Sequence, residues 1–280
     1  MEKSILERIR AVSDKLTAKE RKAAQALLSN YPMAGLETVA GFARIAGVSG
    51  PSILRFTSRI GFRSYPEFQQ HLRAEMEARL KSPIAKAPQG PGLGDDGGSD
   101  LDRFAGAAIA NIRDTAQSLA PKELEKAAAL IGEAPGTIYL VGGRFTDPLA
   151  RYMAAHLKLL RPRIMHLAGQ VDSWRDHLVD MGRRDVLITY DIRRYQEGVI
   201  WFAEQAASRR VPVVLFTDQW ISPVTRVATH VLPAHIEAPS NFDSSIAILA
   251  LTEAVIAQCT KLLWDQAQKR IKDLEDLRET

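Results

Sequence analysis

The chain has 280 residues, of which 46% are hydrophobic and 25% are charged, as in an ordinary globular protein of one large or two medium domains. Its only cysteine, Cys259, excludes an intrachain disulfide framework and a cysteine-based metal cluster. The N-terminal residues are charged and amphipathic, unlike a signal peptide. The apolar stretch 246–258 contains Glu253 and is expected to be too short to span a bilayer, so we expect a cytoplasmic protein without a membrane partner.

The net charge of +4 is distributed unevenly along the chain. Residues 1–82 hold 14 Lys and Arg against 8 Asp and Glu, whereas residues 83–280 hold 23 against 25. The basic excess therefore lies in the first third of the chain. Such an excess attracts polyanions, above all nucleic acid, although a solvated basic surface explains the charge alone equally well.

Apolar residues recur at helical spacing throughout the first third of the chain, and no stretch there alternates like a strand. The predicted helices are 3–13, 18–30, 38–46, 51–60 and 65–80. Thr38, Ser49 and Ser64 are suitable N-caps, and Pro51 suits the first turn of a helix. We therefore predict an all-α domain over residues 1–81.

Residues 38–62, TVAGFARIAGVSGPSILRFTSRIGF, have the spacing of a helix-turn-helix. A short helix ends at Gly47, a tight turn follows, and a second helix begins near Pro51, placed to enter a DNA major groove. The side chains expected at buried or edge positions are Ala40, Ala43, Ile45, Val48, Ile53, Leu54, Phe56 and Ile60. A helical hairpin used for dimerisation is the structural alternative.

The charged residues of the same segment are all basic. No acidic residue occurs from Thr38 through Pro66, whereas four arginines do, as contact with a phosphate backbone requires. Small residues at the start of the second helix let its backbone N–H groups approach a phosphate closely. The candidate DNA-binding residues are Arg44, Ser49, Gly50, Ser52, Arg55, Arg59 and Arg63. They predict a double-stranded DNA operator as a partner.

Residues 82–100 contain five glycines and three prolines and are predicted to be a flexible linker. Beyond it, over residues 101–280, short apolar runs alternate with helical patterns. The predicted helices are 101–119, 122–132, 147–160, 171–181, 195–209, 221–227 and 242–277. The predicted strands are 137–142, 163–167, 185–190, 211–216 and 230–234. This alternation predicts an α/β domain with a parallel sheet between helices, whose ligands lie at the carboxyl ends of the strands.

Two stretches of the first domain, LTAKERKAAQALLSNY and GVSGPSILRFTSRIGFRSYPEFQQHL, resemble the N-terminal domain of the RpiR family of bacterial transcriptional regulators. The matching motif is Val48-Ser49, Arg55-Phe56, Gly61-Phe62 and Tyr65 to Phe68. The family pairs this domain with a C-terminal sugar isomerase (SIS) domain, a flavodoxin-like fold that binds phosphosugars. Gly50-Pro51 departs from the family's pattern and leaves fewer side chains to read bases, so the operator sequence stays open.

The resemblance implies three ligand-binding loops at strand ends, 142–146, 189–195 and 217–223. Arg144 replaces a glycine of the family's first loop, and most of the hydroxyl groups of its second loop are replaced here. The implied ligand residues are Gly142, Gly143, Arg144, Thr146, Thr189, Asp191, Arg193, Arg194, Tyr195, Asp218 and Ser222. Asp218 and Ser222 are equally well explained as caps of the short helix that follows.

Arg193 and Arg194 follow directly on a strand, in the loop where the ligand's phosphate would lie. Two guanidinium groups bind a phosphate or carboxylate bidentately, and Arg144 adds a third cation from the facing loop. We therefore expect a small anionic effector, phosphosugar-like, and a loop that stays mobile until the anion orders it. The alternative is that the two arginines pair with acidic groups across a subunit interface or lie in water.

Nothing in the sequence marks a catalyst. Isomerisation of a ketose phosphate needs a placed base, and no candidate lies in a recognisable catalytic pattern. The candidate bases are His156, His166, His177 and Glu197. His230 and His235 point to opposite faces of a strand and make a poor metal pair, so we expect no metal and no cofactor.

The sequence therefore predicts a ligand-responsive DNA-binding regulator without catalytic residues. The rivals are an SIS-type phosphosugar isomerase with a helical appendage, and a dimeric ligand-binding module whose helical domain binds protein. One small helix-turn-helix reads only a half-site, so we expect a homodimer or homotetramer. Its interface is predicted on the apolar face of the last helix, formed by Ile246, Leu249, Ala250, Glu253, Ala254 and Ala257.

Overall fold

A computed structural model describes residues 4–29, 31–80, 99–169 and 171–277. The chain divides into two compact units, Met1–Lys86 and Ala87–Thr280. Nearly all of the predicted linker lies outside the described residues. Its last two residues do not belong to a linker, because Ser99 and Asp102 form a capping box that starts a helix at Asp100.

The regular secondary structure described in the first unit is all helical, as predicted. Its helices are α1 (Ile5–Ala11), α2 (Ala18–Ser29), α3 (Met33–Leu36), α4 (Val39–Ala46), α5 (Gly50–Arg59) and α6 (Tyr65–Leu80). Their fully buried side chains include Ile5, Leu27, Phe42, Ile53, Phe56, Phe68 and Leu72. The sequence does not predict α3, because a single turn is too short to show a helical period.

The helix-turn-helix is formed by α4, a turn and α5. Thr38 caps α4 by accepting a hydrogen bond from the Gly41 amide at 3.1 Å. Gly47 ends α4 with a φ of 62°, a left-handed conformation that glycine adopts without steric cost. Ser49 precedes α5, but its hydroxyl caps no amide of the helix and lies 2.9 Å from that of Ser52.

The buried face of α4 differs from the predicted one. Ala40 and Ile45, expected to pack inward, are exposed, whereas Phe42 and Ala46 are buried. The reason is the large ring of Phe42, which packs edge-to-face against Phe56 of α5 with 6.4 Å between ring centroids. The position of Phe42 therefore determines which side of α4 faces the core.

The second unit is an α/β domain. Its strands are β1 (Ile138–Gly142), β2 (Ile164–His166), β3 (Val186–Tyr190), β4 (Val213–Asp218) and β5 (His230–Ala234). Its helices are α7 (Asp100–Ser118), α8 (Pro121–Glu133), α9 (Asp147–Leu160), α10 (Val171–Arg175), α11 (His177–Asp180), α12 (Glu197–Ser208) and α13 (Ile246–Asp276). The region predicted as one helix over 171–181 is two short helices, and the last helix begins four residues later than predicted.

The five strands are parallel and lie in the order β2-β1-β3-β4-β5. One face of the sheet packs on α10, α11 and α12 through Trp174, Leu178 and Phe202. On the other face the Tyr190 hydroxyl lies 3.0 Å from that of Thr252 on α13. Helices therefore cover both faces, and the predicted flavodoxin-like architecture is confirmed.

The long helix α13 has 31 residues and, among the described helices, is the one long and apolar enough to cross a membrane by length and composition. The expectation that this stretch is too short is therefore wrong. The helix packs against α7, α8, α9 and β5, as the core helix of a globular domain does. Cys259, on α13, is fully buried 3.6 Å from the carbonyl oxygen of Ala128, and burial raises the pKa of its thiol to about 12.

Candidate functional site

The recognition helix α5 has sharply different inner and outer faces. Ser52, Ile53, Phe56 and Thr57 are buried against the rest of the first unit. The outward face consists of Pro51, Leu54, Arg55, Ser58 and Arg59. Because side chains three and four positions apart share a face of a helix, these five form one continuous surface. That surface is the candidate DNA interface.

The predicted DNA-binding residues separate into two groups. Arg44, Ser49, Arg55 and Arg63 are exposed, and Gly50 is partly exposed. Ser52 is not available to DNA, because it is 1% exposed. Its hydroxyl accepts a hydrogen bond from the Arg55 guanidinium at 3.2 Å, so Ser52 orients that arginine.

The guanidinium of Arg59, a predicted DNA contact, has a carboxylate partner on α2. It lies 3.8 Å from Oε1 of Glu20, which is buried on α2. Burial acts to raise the pKa of Glu20, but hydrogen bonds from Thr17 and the charges of Arg59 and Arg55 outweigh it and lower that pKa. Glu20 is therefore ionised and offsets part of the positive charge of α5.

The second candidate site lies at the carboxyl end of the sheet. The chain passes from β1 to β2 on one side and then to β3 on the other, so the loops after β1 and β3 face each other at the switch point. A side chain at Gly142 would place Cβ 2.5 Å from the Asp147 amide nitrogen, and one at Gly143 would meet the side chain of Gln196. Both glycines are therefore explained by close approach.

Thr146 closes the first of these loops. Its hydroxyl accepts a hydrogen bond from the Gly143 amide and donates one to the Tyr190 carbonyl oxygen, both at 2.8 Å. The side chain is 2% exposed. The hydroxyl predicted to face a ligand thus joins the loop after β1 to the end of β3.

Asp191 plays a similar part at the end of β3. Its carboxylate accepts hydrogen bonds from the Gln196 amide and from the Ser222 hydroxyl, which itself caps the turn after β4 by accepting from the Val224 amide. Asp191 is 1% exposed, and burial, together with the charge of Asp218, raises its pKa to about 7. Thr189, also implied as a ligand residue, is fully buried on β3.

Asp218 organises the loops at the centre of the sheet. The fully buried carboxylate accepts hydrogen bonds from the Arg193 amide, the Tyr195 hydroxyl, and the amides of Trp220 and Ile221, at 2.5 to 3.0 Å. Two of these amides belong to the turn that follows β4. The capping alternative therefore holds for Ser222, which caps the short helix Pro223–Arg226, whereas Asp218 bonds the turn that precedes this helix.

Arg193 is not an uncompensated cation. Its side chain is 3% exposed, forms a two-point ion pair with Asp243, with one hydrogen bond at 2.8 Å, and lies 4.0 Å above the Trp220 ring. The partner carboxylate comes from the same chain, which neither alternative for this arginine foresaw. Arg193 is therefore not one of three cations open to an anion, because Asp243 neutralises it.

Arg144 and Arg194, in contrast, are exposed at this end of the sheet. Arg144 lies 5.3 Å from the ring centroid of Phe145. Just beyond Arg194, α12 begins, and the amides of Glu197 and Gly198 have no acceptor among the described residues. This first helical turn and the two exposed arginines are the part of the predicted ligand site that remains open.

The sequence matches two known families. Residues 3–79 match the helix-turn-helix domain of the rpiR family, and residues 131–258 match the SIS domain. The chain therefore combines the helix-turn-helix domain of the rpiR family with an SIS domain. Helix α5 is the second helix of the matched helix-turn-helix, and the loops after β1, β3 and β4 lie within the matched SIS domain.

A known transcriptional regulator is similar to part of this chain. The chain is 29% identical to the HTH-type transcriptional regulator HexR of Pseudomonas aeruginosa over 132 residues, which are 47% of this chain and 45% of that protein. The match thus spans less than half of the relative.

Two solved structures share the fold. The sugar isomerase domain of an RpiR transcription factor from Sphaerobacter thermophilus covers 63% of this chain and 97% of its own, with a TM-score of 0.59 and 23% identity. The Vibrio vulnificus NanR protein, complexed with ManNAc-6P, covers 98% of this chain and 97% of its own, with a TM-score of 0.57 and 18% identity.

The three histidines among the candidate bases contact neighbouring side chains. His166 lies 2.7 Å from Asp147 and ties the end of β2 to the start of α9, a pair that the sequence did not reveal. His156 packs on the ring of Tyr152, and His177 on that of Tyr139. Among the described residues, no group of three His, Cys, Asp or Glu side chains is placed to hold a metal ion.

Proposed function

We propose that this chain is a transcriptional regulator whose first unit binds duplex DNA and whose SIS domain binds a small anionic metabolite of the phosphosugar class. The outward face of α5 carries the DNA proposal. It exposes Arg55 and Arg59 within a segment, Thr38 to Pro66, that contains no acidic residue. A phosphate backbone attracts such a surface, whereas a protein partner would usually offer both signs of charge.

We propose that the effector binds at the first turn of α12. Helix N-termini bind anions because their amides lack internal acceptors and the helix dipole favours negative charge. The amides of Glu197 and Gly198 supply this feature. Arg194, three residues before α12, and Arg144 in the facing loop add guanidinium donors for a phosphate.

The class of effector follows from the same donors. NanR of Vibrio vulnificus is complexed with ManNAc-6P, a sugar phosphate. Amides and guanidinium groups favour an anion over a neutral sugar, because charge-assisted hydrogen bonds are about twice as strong as neutral ones. We propose a phosphosugar or a related acid for this chain.

We propose that the SIS domain binds its ligand and does not isomerise it. Isomerisation requires a base within hydrogen-bond reach of the substrate carbon's proton. His166 is engaged by Asp147, the residue that follows the first ligand loop. The regulator is further proposed to act in the cytoplasm, where its operator DNA lies, and as a homodimer or homotetramer.

We propose that copies of the chain associate through the exposed side of α13. Ile246 is 39% exposed, and the predicted interface residues Leu249, Ala250, Ala254 and Ala257 also lie outside the buried core. Glu253 on the same face accepts a hydrogen bond from the Tyr152 hydroxyl of α9 at 2.7 Å. An apolar helix face of this kind is suited to a matching face of a second copy.

The direct test uses the full-length chain. Duplexes selected from a random library are bound in fluorescence anisotropy over a salt series, and sugar phosphates are then titrated. We expect affinity to fall steeply with salt, and one phosphosugar class to change it. An Arg144→Ala, Arg194→Ala variant should need about tenfold more effector, whereas Arg184→Ala, at another exposed arginine, should respond normally. Salt-independent binding, or an unchanged response in the double variant, contradicts the proposal.

A further inference from the structure

The first half of the recognition helix offers DNA an apolar surface. Pro51 and Leu54 are both exposed, Leu54 at 46%, and they lie three residues apart on the same side of α5. Gly50 has no side chain, and Ser52 and Ile53 are buried. The first outward side chain of α5 with a hydrogen-bonding group is therefore that of Arg55.

An exposed leucine is ordinary on most protein surfaces. Leu54 is different because of its position and surroundings. It is adjacent to Arg55 and one turn before Ser58, on a surface whose charged groups are cationic. It lies outside the buried core, to which α5 contributes Ile53 and Phe56.

The DNA major groove restricts what such a surface contacts. The N-terminal residues of a recognition helix approach base edges, which present mainly hydrogen-bond donors and acceptors in the major groove. The C5-methyl group of thymine is the large apolar group of that groove. Burying Leu54 against any other base edge would leave that edge's polar atoms without partners.

We propose that Leu54, with Pro51 beside it, contacts a thymine methyl group and thereby requires an A·T pair in each operator half-site. This inference rests on the proposed DNA-binding function and adds to it the identity of a base. Arg55, the next outward residue, contacts the adjacent base or phosphate. At the start of the helix, where Gly50 and Pro51 offer no hydrogen-bonding side chain, the base is then recognised through its methyl group.

The first part of the test is a selection. Full-length protein recovers binding sites from a random duplex library, and the consensus is read by sequencing. The expected half-site contains an invariant A·T pair. A consensus half-site without one overturns the inference while leaving DNA binding intact. Failure to recover any consensus, with equal binding to all duplexes, overturns the proposed function together with the inference.

The second part removes the methyl group alone. Each thymine of the consensus half-site is replaced in turn by deoxyuridine, which keeps base pairing. At one position, wild type should lose about three- to fivefold in affinity, as expected for one buried methyl group. In Leu54→Ala the same replacement should cause no loss, and Leu54→Met, which restores an apolar side chain, should recover most of it.

Leu101→Ala provides a matched control, since it makes the same change at a leucine 74% exposed in the second unit. It should retain the full deoxyuridine effect. Leu54 is half exposed, so its truncation should leave the fold intact. If wild type tolerates deoxyuridine at every position, or Leu54→Ala remains as sensitive as wild type, the inference is wrong.

Discussion

The two candidate sites treat their arginines in opposite ways. On α5, Arg55 is exposed and is oriented by a buried serine, so that its charge faces outward. At the sheet's carboxyl end, Arg193 is buried and neutralised by Asp243 of the same chain. A surface that must attract a polyanion keeps its cations exposed, whereas a loop that must hold its shape uses them internally.

The same contrast extends to the other polar groups of the two regions. The ligand loops are joined by Thr146, Asp191 and Asp218, each of which bonds partners in a different strand or loop. These side chains maintain the frame around the proposed anion site, and the exposed Arg144 and Arg194 at its edge are the residues proposed to contact an effector. Four predictions test this division of roles.

The largest effect is expected from Asp191, whose pKa of about 7 lies well above its ordinary value. Because the folded state holds the proton more tightly, this group's contribution to stability is complete below about pH 4 and is lost as the pH rises to about 7. Asp191→Asn should remove that loss, and so exceed wild type in unfolding free energy by up to about 4 kcal/mol at pH 8 but little at pH 4.

The measurement is urea unfolding followed by tryptophan fluorescence from pH 4 to 8. All four tryptophans of the chain, at positions 174, 201, 220 and 264, lie in the second unit, so the signal reports on that unit. Asp176→Asn makes the same change at an exposed position. A difference between Asp191→Asn and wild type that does not grow with pH contradicts the buried, proton-binding carboxylate.

The next effect concerns the buried ion pair. Asp243→Ala leaves the Arg193 guanidinium buried without its counter-charge, and should lower the unfolding free energy by about 3 kcal/mol. Arg194→Ala, at the exposed neighbour, should change it by less than about 0.5 kcal/mol. The same tryptophan signal measures both. Equal losses in the two variants would show that Arg193 is no more structural than its neighbour.

A smaller effect is expected at the DNA interface. Arg55→Ala should weaken operator binding by about 2 kcal/mol, roughly 30-fold, if its guanidinium contacts a base edge. Arg113→Ala, at an exposed arginine of α7, is the matched control. Anisotropy over a salt series checks both. Wild-type affinity at every salt concentration in Arg55→Ala would exclude α5 as the recognition helix.

The smallest effect is a gain. Glu20→Gln keeps an acceptor for the Thr17 amide but removes the carboxylate 3.8 Å from Arg59. Binding to DNA should strengthen by about 0.5 kcal/mol at low salt, and the gain should vanish at high salt because of screening. Glu133→Gln, exposed in the second unit, should show no gain. A gain of the same size in both variants would indicate a change in net charge alone.

The sequence predicts the elements of both units well, because helical and strand periods are local properties of the chain. The helix-turn-helix and the parallel sheet follow from such periods. The partners of the site residues do not. Arg193 and Asp243 are 50 residues apart, and Thr146 lies 44 residues from Tyr190, so only the fold brings them together.

Two local errors also have physical causes. Ala40 and Ile45 were expected inward because they are apolar, but the ring of Phe42 sets the buried face of α4. The helix α3 follows Pro32 and has four residues, too few for a repeating pattern. In both cases the hydrophobic period is a better guide to the presence of a long helix than to which of its sides is buried.

The burial of Cys259 gives the chain an experimental advantage. Its thiol is sealed inside the second unit and holds its proton up to about pH 12, so maleimide reagents should not react with it in the native protein. A cysteine introduced at the exposed Ser58 would then be the single reactive thiol of the chain. In the proposed oligomer, spin labels attached there would report the separation between the α5 helices of two copies, with and without effector.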